Sequence, residues 1–225
     1  HACDGKLPCH PHPQMEEIVA WKRKVHSNWV TRTMYIPELA VLVSSSLDCT
    51  LRLRDFEFNK DKWTLRAAKQ SAHCKGIHGF DWSKRHNVVG TYGLEREAFL
   101  WNPYTSRPVG VLVGHVASVC ALLFNDPENQ VTTVSVDKTI KVWDTRTLRC
   151  IQSITDQATY RPEDSFTAVH FQPRHRCLVT ASSSLFFRFS RKNNPFKNTD
   201  AGIVALTVSS LHGHVVTADN NQVVL

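Results

Sequence analysis

No stretch of this 225-residue sequence approaches the roughly 18 consecutive apolar residues that a membrane-spanning helix requires. The opening residues, HACDGKLPCHPHP, lack a continuous apolar segment, so no secretory signal is read there. Glycine and proline number only 9 and 10 and are scattered between short apolar runs, which excludes a low-complexity linker and suits many strands joined by turns. No G-x-S-x-G elbow, H-E-x-x-H pair or G-x-x-x-x-G-K loop occurs, so the common hydrolase, metalloprotease and nucleotide signatures are missing. Charge is unclustered too: 27 Lys and Arg oppose 20 Asp and Glu, giving +7, with no run of five like charges. Such a balance favours an evenly solvated basic surface over a nucleic-acid site.

What is present is apolar residue in quantity, 42% of the chain, enough to pack a core. Seven cysteines is an odd number, and Cys49, Cys120, Cys150 and Cys177 sit inside apolar strand-like runs, as buried free thiols of a reducing compartment would. An intracellular, cytoplasmic location is therefore expected. The chain opens on His1 instead of Met and closes on the apolar NQVVL, so both ends are expected to be cut from something longer.

An internal repeat organises the chain. Copies opening at His26, His73 and His115 start 47 (26 to 73) and 42 (73 to 115) residues apart. In each, an apolar residue follows the histidine by four positions (Val30, Ile77, Val119) and an aromatic one by nine (Tyr35, Trp82, Phe124). An acid stands 22 positions on, at Asp48, Glu95 and Asp137, and Arg54, Trp101 or Trp143 stands 28 on, followed by Asp55, Asn102 or Asp144. Looser copies run through Phe166 and Phe171 to LFFRFS, and from Ile203 to the terminal QVVL. Within the third copy, SVCALLF, QVTTVSV, TIKVW and CIQSI alternate with period two and are separated by NDPEN, DK and DTRT, which are turn compositions. Four short antiparallel strands per copy of about 40 to 45 residues describe a propeller blade.

The expected fold is therefore all-β, with about five blades' worth of four-stranded sheets forming a partial propeller. The expected organisation is a connector over 1–15, a lone outer strand over 16–25, blades over 26–72, 73–114, 115–161 and 162–198, and an incomplete blade over 199–225.

With Gly114 and His115 ahead of it, SVDKTIKVWD resembles a WD40 repeat, and the resemblance extends over about residues 18 to 225. It implies a hydrogen-bonded tetrad of His115, Asp137, Trp143 and a strand hydroxyl, Thr133 or Ser135, that ties a blade together. It also implies a protein-binding scaffold. The segment from Gly76 to His115 is further similar to WD-repeat proteins of motile cilia, some of which carry EF-hands, and that similarity implies a cilium or axoneme as the address. No EF-hand loop occurs here, and calcium binding is not carried over.

The serine or threonine, histidine and acid of the third copy are the residue types of a hydrolase triad. Their return at His26 with Asp48 and at His73 with Glu95 fits a structural brace instead, and no enzyme is expected. Cys3, Cys9, His10 and His12 have ligand chemistry but no zinc-module spacing, so neither metal nor cofactor is expected. Partner contact is assigned to loops on one rim: Trp29, Lys75 and Ser118 after the histidine positions, Leu47, Leu94 and Val136 beside the turn acids, and Tyr160 and Arg161 in the long connector DQATYRPEDS. Trp29 has an alternative place packed between blades. The expected partners are other proteins, with no membrane and no small-molecule substrate. A nucleic-acid or acidic-surface binder, resting on +7 and on FFRFSRKNNPFK, is the competing reading.

Overall fold

The computed structural model describes residues 25–55, 61–66, 73–105 and 107–155, and the strand segments 168–172, 177–181, 185–189, 203–208 and 215–219. The expected connector and lone strand over 1–25 lie outside these residues, apart from Val25. So do Phe166, Tyr160, Arg161 and the closing QVVL.

Alternating, β-branched runs make the strands. The first sheet has β1 (Val30–Ile36), β2 (Val41–Ser46), β3 (Thr50–Asp55) and β4 (Asp61–Arg66), paired antiparallel in chain order. The second has β5 (Ile77–Ser83), β6 (Val88–Gly93), β7 (Ala98–Asn102) and β8 (Arg107–Leu112), and the third β9 (Val119–Asn125), β10 (Gln130–Ser135), β11 (Thr139–Asp144) and β12 (Cys150–Thr155). Then come a three-stranded sheet of β13 (Ala168–Gln172), β14 (Cys177–Ala181) and β15 (Leu185–Phe189), and a pair, β16 (Ile203–Val208) with β17 (Val215–Asp219). No α-helix occurs among the described residues. The β1–β2 and β9–β10 corners are single 3-10 turns, Pro37–Leu39 and Asp126–Glu128, each started by its proline and ended by a left-handed residue, Ala40 or Asn129.

This is the all-β, propeller-type architecture expected. In each sheet the first strand is innermost, and β1, β5, β9, β13 and β16 pack one on the next. The core lies between sheets: Ile36, Val43, Leu53, Phe80, Val89 and Trp101 fill the space between the first two, and Leu100, Leu122, Val131 and Trp143 the space between the second and third. Gly90 makes the latter approach possible, because a Cβ there would stand 2.5 Å from the Leu122 side chain.

The thiols depart from expectation. Cys120 is largely buried, which pushes its pKa up to about 12, and Cys49 is half-buried. Cys150, expected inside, is exposed: β12 is the outermost strand of its sheet, with no described strand beyond it.

Candidate functional site

The two rims of the stacked sheets differ. One carries the corners between first and second strands, and its charges are paired from sheet to sheet. Ser83 Oγ donates to Asp126, the Arg85 backbone N–H reaches the same carboxylate at 3.2 Å, and Lys84 lies 2.9 Å from Glu38. Deeper in, the Phe124 N–H donates to Asp81 at 2.8 Å, again between sheets. The opposite rim carries the histidine loops and the turns between second and third strands. There the exposed side chains include Trp29 at 79%, Val116 at 75%, Val136 at 51% and Leu94 at 47% exposure.

Beneath that rim each of the first three sheets holds a buried histidine. In the third, Trp143 Nε1 donates to Thr133 Oγ1 at 2.7 Å, and the same hydroxyl lies 2.7 Å from His115 Nε2. An oxygen that accepts from an indole has its one proton free for the imidazole. With the histidine proton on Nδ1, Thr133 can donate to Nε2 while accepting from the indole. The second sheet repeats the set with Trp101, Thr91 and His73 at 2.7 and 2.9 Å, and adds His73 Nδ1 to Glu95 at 2.8 Å. In the first, His26 reaches Ser44 at 2.8 Å and Asp48 at 3.0 Å. Arg54 stands there at the tryptophan position.

Burial pushes the Asp48 and Glu95 carboxyls up. Hydrogen bonds outweigh it in both: from Thr50, the Ser27 amide and His26 for Asp48, and from His73 and the Lys75 amide for Glu95. Each carboxyl ends at about 2.

The third sheet, whose sequence matches the repeat best, corrects one expectation. No hydrogen bond joins Asp137 to His115, and His115 Nδ1 is buried without a partner. The short Asp137 side chain instead caps its own turn, accepting the Thr139 N–H at 2.9 Å, while Lys138 takes the left-handed conformation at φ 64°. Burial drives the His115 pKa down to about 4, with Asp137 opposing only through its charge. Ser135 is not the hydroxyl that the tryptophan meets. It donates to the Ser118 carbonyl at 3.0 Å and so anchors the loop before β9.

The rim residues assigned from sequence do not form one cluster. Lys75, Leu94 and Ser118 line a single open groove of about 610 Å³ between the second and third sheets. Cys74, Arg96 and Val116 line it too. The available signal for Val116 was an apolar residue directly after His115, where the other copies have Ser27 and Cys74. Much of the groove's polar backbone is engaged internally: Ser118 Oγ donates to the Leu94 carbonyl at 2.8 Å, the Val119 N–H to the Glu95 carbonyl at 3.0 Å, and the Cys74 and Lys75 N–H groups to the Glu95 carboxylate at 2.9 Å. Trp29 stands in solvent apart from the groove, not packed between blades. Leu47 is half-buried against Gly76, whose φ of +104° and 3.0 Å approach to the leucine leave no room for a side chain. Val136 is exposed on the third sheet's turn. Among the described residues, no group of three or more His, Cys, Asp or Glu side chains is placed to hold a metal; Cys3, Cys9, His10 and His12 lie outside them.

Residues 106–144 match the family model described as WD domain, G-beta repeat. The chain is 29% identical over 139 residues to Nuclear distribution protein nudF of Aspergillus niger, covering 60% of this chain and 30% of that protein. It is 27% identical over 125 residues to the WD repeat-containing protein on Y chromosome of Anopheles gambiae, covering 54% and 12%. It is 26% identical over 127 residues to Cilia- and flagella-associated protein 337 B of Tetrahymena thermophila, covering 56% and 10%. The matches thus span less than a third of each of these relatives. WD40 repeats generally mediate protein–protein interaction and are generally non-catalytic. No helix among the described residues is long and apolar enough to cross a membrane.

Proposed function

We propose that this WD40-repeat chain is a non-catalytic scaffold that docks a partner protein in the rim groove between its second and third blades. One observation carries the reading: Leu94 and Val116 are exposed in a concave site whose neighbouring carbonyls and carboxylate already have partners. Apolar side chains held open over an internally satisfied floor gain from being covered by another apolar surface, and they set no chemistry in motion. Lys75 and Arg96, both exposed on the groove wall, supply polar contact around them. The tetrad beneath serves as a brace. Thr133 joins His115 to Trp143 and fixes the depth of the loop from which Val116 projects, while Ser135 and Asp137 hold the adjoining loop and turn.

Trp29 and Val136 offer further contact on the same rim, outside the groove. Tyr160 and Arg161 remain assigned to a partner by their sequence alone. The likeness to a cilia- and flagella-associated protein supports a ciliary setting as the finer reading.

The double variant Leu94→Asp, Val116→Asp tests the proposal in quantitative co-purification from cells, with Lys84→Ala on the opposite rim as control. A discrete set of proteins should be lost from the double variant and retained by the control, at equal thermal stability. Identical recovery from both variants refutes the groove as the docking site. Raising salt separates the nucleic-acid alternative, because phosphate contacts weaken steeply with salt and an apolar groove does not.

A further inference from the structure

Each complete blade ends in an outer strand, β4, β8 or β12, whose far edge pairs with no described residue. Such an edge presents unpaired N–H and C=O groups and is a template for another strand unless charge or proline blunts it. β4 is blunted by the exposed Lys62, and β8 by Pro108, which has no N–H to donate. β12 reads Cys-Ile-Gln-Ser-Ile-Thr, with neither device. Five of its six residues are exposed, Ile151 at 57%.

Basic side chains stand beside β12. Arg149 immediately precedes it and is exposed. On the adjoining strand, Lys141 Nζ lies 3.0 Å from Ser153 Oγ, and Arg146 projects from the turn between them with 72% of its side chain exposed. Asp144, the carboxylate of that turn, already accepts the Arg146 N–H at 2.8 Å.

From these features we propose that the outer edge of β12 receives an extended, acidic segment of a partner protein as a fifth strand of the third blade. Backbone pairing supplies the attachment, Ile151 the apolar contact, and Arg149 and Lys141 the attraction for carboxylates on the added strand. This perimeter site is separate from the rim groove, and failure of either leaves the other standing.

The probe is a labelled synthetic peptide of alternating valine and threonine with a glutamate at each end, added to the full chain and followed by fluorescence anisotropy. Binding is expected. Methylating the peptide's edge-facing amide nitrogens should weaken it by about two- to tenfold per amide, the range for one net hydrogen bond, and methylating the alternate amides should have little effect. Replacing the glutamates by lysine, or making Arg149→Glu in the chain, should weaken binding about tenfold. Ile151→Glu should do the same, and it lies on the surface, where folding tolerates it. Absence of binding at millimolar peptide overturns the proposal. So does equal sensitivity of both sets of amides, indifference to Arg149→Glu and Ile151→Glu, or a dimer in which a second copy of the chain already covers the edge.

Discussion

Thr133→Val is the sharpest probe of the brace beneath the rim. The substitution preserves shape and removes one hydroxyl from a side chain with no exposure to solvent. Two buried groups then lose their partner: the Trp143 indole N–H, now 2.7 Å from the oxygen, and His115 Nε2, also at 2.7 Å. Leaving a buried donor or acceptor unsatisfied costs about 1 to 3 kcal/mol each, so the pair together should cost about 2 to 6 kcal/mol. Among the described residues His115 has no second hydrogen-bond anchor, because its Nδ1 is already unpartnered. For a chain of this length about 2 to 4 °C of melting temperature accompanies each kcal/mol, and a fall of about 4 to 24 °C is expected in calorimetry. Thr132→Val is the matched control. Thr132 is also buried, points to the other face of β10 away from the indole and imidazole, and its substitution should cost less than that of Thr133. If Thr133→Val melts with the wild type, or no lower than Thr132→Val, the hydroxyl is not a hub and the brace argument fails.

Acid should destabilise the chain in two stages. His115 has a folded pKa of about 4, below its ordinary 6.5, so its neutral form is favoured by folding and that stability is lost as pH falls from about 6.5 to 4. Asp48 and Glu95, lowered to about 2 from ordinary values of 3.8 and 4.5, contribute stability that is present above the ordinary values and lost as pH falls towards 2. Urea titrations between pH 7 and 2 read both stages, and Glu95→Gln should flatten only the lower one. Gly93→Ala places a Cβ against the Gly76 carbonyl oxygen and 2.9 Å from Glu95 Oε2, and thermal melts should register a loss of about 2 to 3 kcal/mol. Phe80→Ala empties a fully buried site between the first two blades and should cost about 3 to 5 kcal/mol by chemical denaturation. Trp29→Ala, at 79% exposure, should leave the melting temperature within about 2 °C, so any loss of partner recovery would be a contact effect.

The fold was legible because period-two runs and turn residues act locally. QVTTVSV and TIKVW become β10 and β11 nearly to the residue, and Asp48 and Asp137 cap their turns as short acids do. The spacing from histidine to tryptophan marked side chains that meet at one hydroxyl, because alternate residues of neighbouring strands share a face. It left open which hydroxyl, since Thr133 and Ser135 both point inward, and only the depth of the indole selects Thr133. What depends on neighbouring sheets stayed hidden. The Ser83, Arg85 and Asp126 tie joins residues 43 and 41 positions apart, and the groove exists only where the second blade's turn meets the third blade's loop. Leu47 looked like a rim contact for the same reason: its neighbour is Gly76, on the next blade. Cys150 carried an apolar context but occupies the edge strand, a place that sequence periodicity does not distinguish from an interior one.

The proposed docking places a partner protein on the histidine-loop rim and none on the charge-paired rim. A photo-crosslinking amino acid placed at Val116, and separately at Asn87 on the opposite rim, compares the two directly in living cells. A discrete crosslinked protein band is expected from position 116 and none from position 87. Equal labelling at both positions, or labelling at 87 alone, would contradict it.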